Sequence, residues 1–539
     1  MLYFIPGWYR KNHWSENEQL WYKRRTHTEF DDSVKQVQLF NRNKVAPFRI
    51  ILLSYAPNFR HFLHRQGAYH VDYWSFFDCI CGIKKKKPTV FSFHDLNWPE
   101  GIEFIYSQFA VLAFLNGEKY AQIEFAEDGN PIVIDMFQKD RIIRSNMYDD
   151  RGFVSSTILY KDGKPDYQEY LTEGGVWKIR AFFGDKHIEI NPLSNSYTID
   201  KDGNDKAYIF EKTVYENIEQ VIKEVLGRYV ESCKDNDIFC IAMHNIHSKL
   251  LDEVLSGRKK ILSFYGDRCA FDTPMSIEVV KNADHIITDS YETSKTVIEN
   301  VPQSEGIITD ITPYDARPDF GNSHQLMVQK ILIPVDGLED DVFDRLIRTL
   351  GSYLPENENA RVHLFTRRAD YDIEGRLLKK TAKILLEAGC PPEWAYKKES
   401  MDDTGAENAL IDAEEDEEEA IEERFFVEQC VDELSVTRCM KEQRIIVDIR
   451  SVPELYLQIT AISGGIPQIV RYKTQYLEEG KNGFAISSMD ELGEKLDYYL
   501  GSMANWNKCL IYCNEIIKKY TTRVLVGKWR EVIENLEQC

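Results

Sequence analysis

Apolar residues recur along this chain with two different periods, and the changes between them divide it. Residues 2–5 and 48–56 are short apolar runs that read as buried strands. Between them, Val34, Val37 and Leu39 fall at spacings that predict an amphipathic helix over 31–40. From about 102 to 209 the period drops to two. Apolar and polar positions alternate around Asp128-Gly129, Asp162-Gly163, Gly184-Asp185 and Asp202-Gly203, as in consecutive antiparallel hairpins. This block predicts a β-meander inserted into an α/β domain.

Short buried strands separated by helical patterns return after Glu211, at 238–243, 260–266, 285–290 and 307–311. That alternation implies a parallel, doubly wound sheet. Past a polar stretch at 317–325, a second unit of the same kind begins near Gln329, with strands at 331–335, 360–368, 444–449 and 468–471. The expected division is 1–101 with 211–325 as a first Rossmann-like domain and 102–210 as the inserted sheet. Residues 326–502 form the second Rossmann-like domain, and 503–539 are helices expected to pack back on the first. A dense acidic run at 401–424 lies inside the second domain and reads as a solvated loop.

Composition narrows the function classes. At 539 residues the chain is too long for one core, and 43% hydrophobic content suffices for several. A net charge of -22 argues against a general binder of nucleic acid or anionic membrane, so any membrane contact is expected only peripherally, through partners. The eleven cysteines are odd in number, and neither Cys79-x-Cys81 nor Cys509-x3-Cys513 has a second pair at zinc spacing. They read as reduced structural thiols, which fits a cytoplasmic protein. The first fourteen residues lack the basic start and apolar run of a signal peptide, and no apolar stretch approaches the ~20 residues that span a bilayer.

Several residues are candidates for chemistry. The stretch 444–486 runs strand, helix, Gly464-Gly465-Ile466-Pro467, strand, and the turn Lys481-Asn482-Gly483. Glu454 follows Pro453 and either meets a sugar hydroxyl or is an acid stabilised at the start of a helix. Gly464 and Gly465 permit close backbone approach or a helix stop. Arg367 and Arg368 end a strand and either face a cleft or form a surface pair. In the first domain His244 and His247 stand at i, i+3 after a strand, a spacing that suits a metal pair or an acid/base site; with no third ligand nearby, no metal is expected. His94 with Asp95 and the aromatic Trp8 could contact a sugar, or be ordinary turn and packing residues. Neither a Gly-x-Ser-x-Gly elbow nor a Gly-x4-Gly-Lys-Ser/Thr phosphate loop is present.

Two doubly wound domains facing a cleft resemble the GT-B glycosyltransferases, and the meander resembles the extended sheet domain of the transferase pair that puts N-acetylglucosamine on serine-rich adhesins. Over nearly its whole length, and most distinctively in residues 1–40, the chain is similar to the family formed by the first of the accessory secretory proteins of Gram-positive bacteria. That resemblance implies a role in exporting serine-rich glycoprotein adhesins. The implied partners are two sibling accessory secretory proteins, the accessory SecA ATPase, the glycosylated adhesin and its N-acetylglucosamine.

Set against the transferase pattern, the frame is kept and the chemistry is missing. Retaining transferases of this type carry two carboxylates eight residues apart on the helix, the second directly before an alanine. Here Ala461 is preceded by Thr460, and eight residues earlier stands Val452. Where the pattern has Gly-Arg and then Glu-Lys after the first strand of the second domain, Asp336 replaces the arginine and Asp341 the lysine. No cation precedes Arg345 in this loop. Anions at these places repel a diphosphate. The leading expectation is a non-catalytic scaffold without cofactor or metal, with Trp8, His94, His244, His247, Arg367, Arg368, Glu454, Gly464 and Gly465 lining a vestigial cleft. The alternative is an active retaining transferase with a UDP-sugar donor, using Glu454 and Arg367 or Arg368. A third is a pure interaction protein without sugar binding.

Overall fold

The structure is a computed structural model that describes residues 1–10, 13–15, 28–126, 129–199, 206–266, 268–269, 273–395 and 422–538. The acidic residues 401–421 and the turn positions Asp128, Asp202 and Gly203 lie outside the described residues. Two compact units emerge, one of residues 1–313 with 526–539 and one of residues 314–525.

The first unit is built on a seven-stranded parallel sheet. Its spatial order is Tyr73–Ser75, Phe48–Leu52, Leu2–Ile5, Ile238–Ala242, Lys259–Phe264, His285–Thr288, Ile308–Asp310. The first strand in sequence is therefore central, and strand order reverses between it and Ile238–Ala242. Doubly wound sheets hold their ligands outside the strand ends at such a reversal. The helix Asp32–Asn43 starts where Asp31 accepts a hydrogen bond from Ser33 N at 3.0 Å. It buries Val34, Val37 and Phe40 against the sheet. Trp529 of the last helix, 1% exposed, packs edge-on against Phe4 and Phe40.

Between the third and fourth strands of that sheet the chain builds a ten-stranded antiparallel sheet, from Ile102–Tyr106 to Val214–Tyr215. Asp162 and Gly163 both have positive φ, as a two-residue hairpin turn of the primed type requires. This sheet is tied to the parallel one by buried charge. Arg151 makes two 2.8 Å bonds to Asp78 and closes on Asp149 at 2.7 and 2.8 Å, while Tyr55 Oη lies 2.6 Å from Ser155 Oγ.

The second unit carries a six-stranded parallel sheet in the order Phe425–Gln429, Ala360–Thr366, Gln329–Pro334, Gln443–Asp448, Gln468–Val470, Gly483–Ala485. Its reversal falls between Gln329–Pro334 and Gln443–Asp448.

The boundaries differ from the expected ones. The stretch 317–325 is not a free linker: Asp319 N donates to Ser463 O at 2.9 Å, and Gly321 lies hard against the Lys441 carbonyl. The helix Met503–Ile516 does not return to the first unit. Its Trp506 donates to Arg444 O at 2.9 Å, and Cys509 and Cys513 sit in the second unit's core. Only from Val526 does the C-terminal segment belong to the first unit.

Candidate functional site

At the reversal of the second sheet, three arginines meet three carboxylates. Asp336, just past Gln329–Pro334, accepts from Thr366 Oγ1 at 2.8 Å and from Arg367 N at 2.7 Å, and pairs with Arg368 Nε at 3.3 Å. Arg450, itself nine-tenths buried, grips the buried Asp448 with bonds of 2.8 and 2.7 Å, reaches Glu454 at 3.7 Å and donates to Asp336 O at 3.3 Å. Arg367 pairs with Glu454 and lies over the Tyr456 ring at 5.4 Å. Burial alone would lower the pKa of Arg450, but Asp448, Glu454 and Asp336 outweigh it and the pKa is raised. The cations are thus matched by internal anions.

Val452 and Thr460, expected where the transferase pattern has acids, make no contact with the arginines in the interactions described. Val452 is exposed, and Thr460 Oγ1 donates back to Tyr456 O at 2.6 Å within its own helix. Gly464 ends that helix and Gly465 caps it at φ 69°, where Ile466 N closes onto Ala461 O at 2.9 Å. A Cβ on Gly465 would meet Leu510 at 3.0 Å, so this pair is buried packing and not an open approach for a ligand. A cavity of about 310 Å³ in this unit is lined by Ile449, the residue between Asp448 and Arg450, and by Arg345, Arg471, Ser487, Ser488 and Asp490 among others. None of the sequence candidates lines it.

At the reversal of the first sheet a second closed set forms. Arg268 bonds Asp31 at 2.9 Å and Asp32 at 3.1 Å, and donates to the backbone of Met243 and Ser263 at 2.9 and 3.1 Å. Burial, and then Asp32, raises the Asp31 carboxyl to about 6. Trp8 donates to Asp31 at 3.0 Å and is 4% exposed with Phe62 against its ring, so it offers no face to a sugar. His247 is fully buried, 2.8 Å from Tyr9 Oη and 2.6 Å from Ala242 O, and burial takes its pKa to about 3. It is a packed core histidine. His244 is partly exposed; burial and Arg268 lower its pKa to about 4, and its Nδ1 accepts from Ile246 N at 3.1 Å. His94 stands apart from these, exposed, 3.2 Å from Tyr106 Oη at the edge of the antiparallel sheet.

The nine candidates thus fall into four places: Arg367, Arg368 and Glu454 in one cluster, Trp8, His244 and His247 around another, the pair Gly464 and Gly465 in packing, and His94 apart. Sequence reasoning missed Asp448, Arg450, Asp31, Asp32 and Arg268. Asp448 and Arg450 flank a strand end, which is a usable signal; Arg268 is legible only once three strand ends are brought together.

Two doubly wound units in one chain, the first bearing an antiparallel extension, define the GT-B fold class. The chain superimposes on the pneumococcal O-GlcNAc transferase GtfA, a crystal structure in complex with UDP and GlcNAc, with a TM-score of 0.69 at 11% identity over 99% of this chain and 98% of that one. Within that class the chain belongs to the accessory Sec system protein 1 family, whose model matches residues 1–536. A curated member from Streptococcus gordonii is 30% identical over 538 residues, 98% of each chain. The Streptococcus pneumoniae crystal structure of accessory secretory proteins 1, 2 and 3 contains a chain 28% identical, with a TM-score of 0.78 and full coverage of both. The protein is a component of the accessory Sec system. Among the described residues no helix is long and apolar enough to cross a membrane.

Proposed function

We propose that the chain is a non-catalytic GT-B scaffold of the accessory Sec export system, working in the cytoplasm. It assembles with two sibling accessory secretory proteins and helps deliver a glycosylated serine-rich adhesin to the accessory SecA motor. The observation that carries the non-catalytic reading is Asp336. It holds Arg368 and the backbone N–H of Arg367 at the strand end where a donor diphosphate would need them. A diphosphate would have to displace carboxylates already bonded to the guanidinium groups and desolvate its own charge against Asp336. The sibling partnership is supported by the pneumococcal structure, which contains proteins 1, 2 and 3.

Glycan recognition in this reading belongs to the cavity that Ile449 lines. Its volume of about 310 Å³ and its serine, arginine and aspartate groups suit a neutral sugar ring bearing hydroxyl and acetamido groups. N-acetylglucosamine or a glycosylated serine-rich peptide is the ligand expected there. Association with the membrane comes peripherally through the partners.

The test is a set of four measurements: UDP binding, UDP-sugar turnover, co-purification, and binding of N-acetylglucosamine or glycopeptide. Calorimetry at millimolar UDP should show no binding, and UDP-sugars should not be turned over. Co-purification should recover the siblings and the motor. Turnover of a UDP-sugar would establish the active retaining transferase instead. Failure to bind N-acetylglucosamine or glycopeptide, with the siblings still recovered, would leave a pure interaction protein.

A further inference from the structure

Where the edge strand Phe425–Gln429 ends, two thiols, a carboxylate and an imidazole converge inside the second unit. Glu428 lies on that strand, Cys430 one residue beyond it, and Cys439 on the last turn of the helix Glu433–Met440. The turn between them is fixed by Asp432, whose side chain accepts from Ser435 N at 2.7 Å. The two sulfurs and a carboxylate oxygen of Glu428 all lie within 4.8 Å of one another. A tetrahedral zinc ion with bonds of ~2.3 Å to sulfur and ~2.0 Å to oxygen holds its ligand atoms ~3.5–3.8 Å apart. Small side-chain rotations therefore close these three donors around one ion.

The surroundings also suit an ion. Cys430 and Cys439 are 3% and 8% exposed, while the Glu428 side chain is 31% exposed, which gives an ion a route in and leaves room for water. His363, on the adjacent strand Ala360–Thr366, places Nδ1 2.8 Å from Glu428 Oε1, and its ring stacks on Phe426 with centroids 5.2 Å apart. Ligating groups are oriented by outer hydrogen bonds of this kind. Gln443 Nε2 approaches Cys439 Sγ at 3.5 Å, a donor aimed at the sulfur. The neighbouring Lys330 is bonded to Glu442 at 2.5 Å, so its charge is compensated. Cys430 and Cys439 are nine residues apart with a helix between them, which is why no zinc spacing shows in the sequence.

We propose that Glu428, Cys430 and Cys439 bind one divalent ion of the zinc class, with water as the fourth ligand and His363 positioning Glu428. Binding releases the two thiol protons to solvent, and nothing is oxidised or reduced. The ion ties the strand Phe425–Gln429 to the helix Glu433–Met440, immediately after the acidic segment of the chain.

The test uses the reduced, metal-free full chain titrated with Co2+ and then Zn2+. One equivalent of Co2+ should give thiolate-to-cobalt charge-transfer absorption and tetrahedral d–d bands, and Zn2+ should displace it. Cys430→Ser or Cys439→Ser should abolish the charge-transfer band, and His363→Phe should weaken binding roughly 10–100-fold while the bands remain. Zn2+ should also protect Cys430 and Cys439 of the unmodified chain from alkylation, read by peptide mass spectrometry, a result that does not depend on how the variants fold. Cobalt spectra without thiolate bands, bands unchanged in the Cys430→Ser/Cys439→Ser chain, or equal alkylation with and without Zn2+ would overturn the proposal.

Discussion

At the strand ends of the second unit carboxylates meet arginines of the chain itself: Asp336 engages Arg368 and Asp448 engages Arg450. In the first unit the partner of Arg268 is Asp32, the first residue of the helix Asp32–Asn43. His247 of that unit serves packing, and burial sets its protonation against charge. Burial holds His247 at about 3, whereas an unfolded imidazole titrates near 6.5. Between those values the unfolded chain holds the extra proton, so the stability this residue confers is complete above about 6.5 and is lost as pH falls. Asp31 acts in the opposite sense: its folded carboxyl at about 6 lies above an unfolded value near 3.9, so acidification through 6 favours the folded state. Comparing the parent with His247→Gln separates the two, because Asp31 is common to both. The stability gap between them should narrow by about 2 kcal/mol between pH 7 and pH 5 in urea unfolding, and a gap constant with pH would contradict the assignment. The sequence identified Asp336 because charge at a strand end needs only a strand to be recognised. It offered Trp8 and His247 as cleft residues because residue type alone does not tell a buried ring from an exposed one.

Elements were legible where the period was long and clean. The two parallel sheets and the meander follow from runs of apolar positions and from Asp-Gly turns, since each strand's burial on one or both faces is written into its alternation. Tyr73–Ser75 and Phe425–Gln429 fall outside the expected strands, the first because three residues carry no period and the second because it starts directly after the acidic run. The end of the second unit was also misplaced, because Trp506, Cys509 and Cys513 give a helix an apolar face without naming the sheet it covers. Joints between elements are where single changes should cost most. Gly152 has φ 87°, and a Cβ there would stand 2.2 Å from the Thr89 carbonyl oxygen, where the antiparallel sheet meets the parallel one. Gly152→Ala should lower unfolding stability by about 2–3 kcal/mol, whereas Gly163→Ala, also at positive φ but in open space, should cost about 1 kcal/mol. Trp529→Ala should cost about 3–5 kcal/mol, because the ring is enclosed by Phe4 and Phe40 in the first unit's core.

For the molecule as a whole, the GT-B frame spans the chain while the arginines and carboxylates at the reversal of the second sheet are paired with each other. If the arginines are silent only because they are paired, then removing their partners should return anion affinity without altering the fold. Asp336→Asn with Glu454→Gln keeps shape and hydrogen-bonding capacity, removes two negative charges, and leaves Arg367, Arg368 and Arg450 with Asp448 as their one remaining carboxylate in the cluster. The expected result is measurable binding of UDP, absent in the parent, that weakens as salt is raised because its source is uncompensated charge. Turnover should remain absent, since Val452 and Thr460 still stand where the pattern requires carboxylates. Recovery of the sibling proteins should be unchanged, because a scaffold depends on the frame and not on this cluster. If the variant neither binds UDP nor loses stability, the pairing is incidental and the site is closed to nucleotides by shape. If it binds UDP but no longer recovers the siblings, the cluster itself belongs to the assembly surface, and conservation of the frame would be explained by that surface rather than by ancestry.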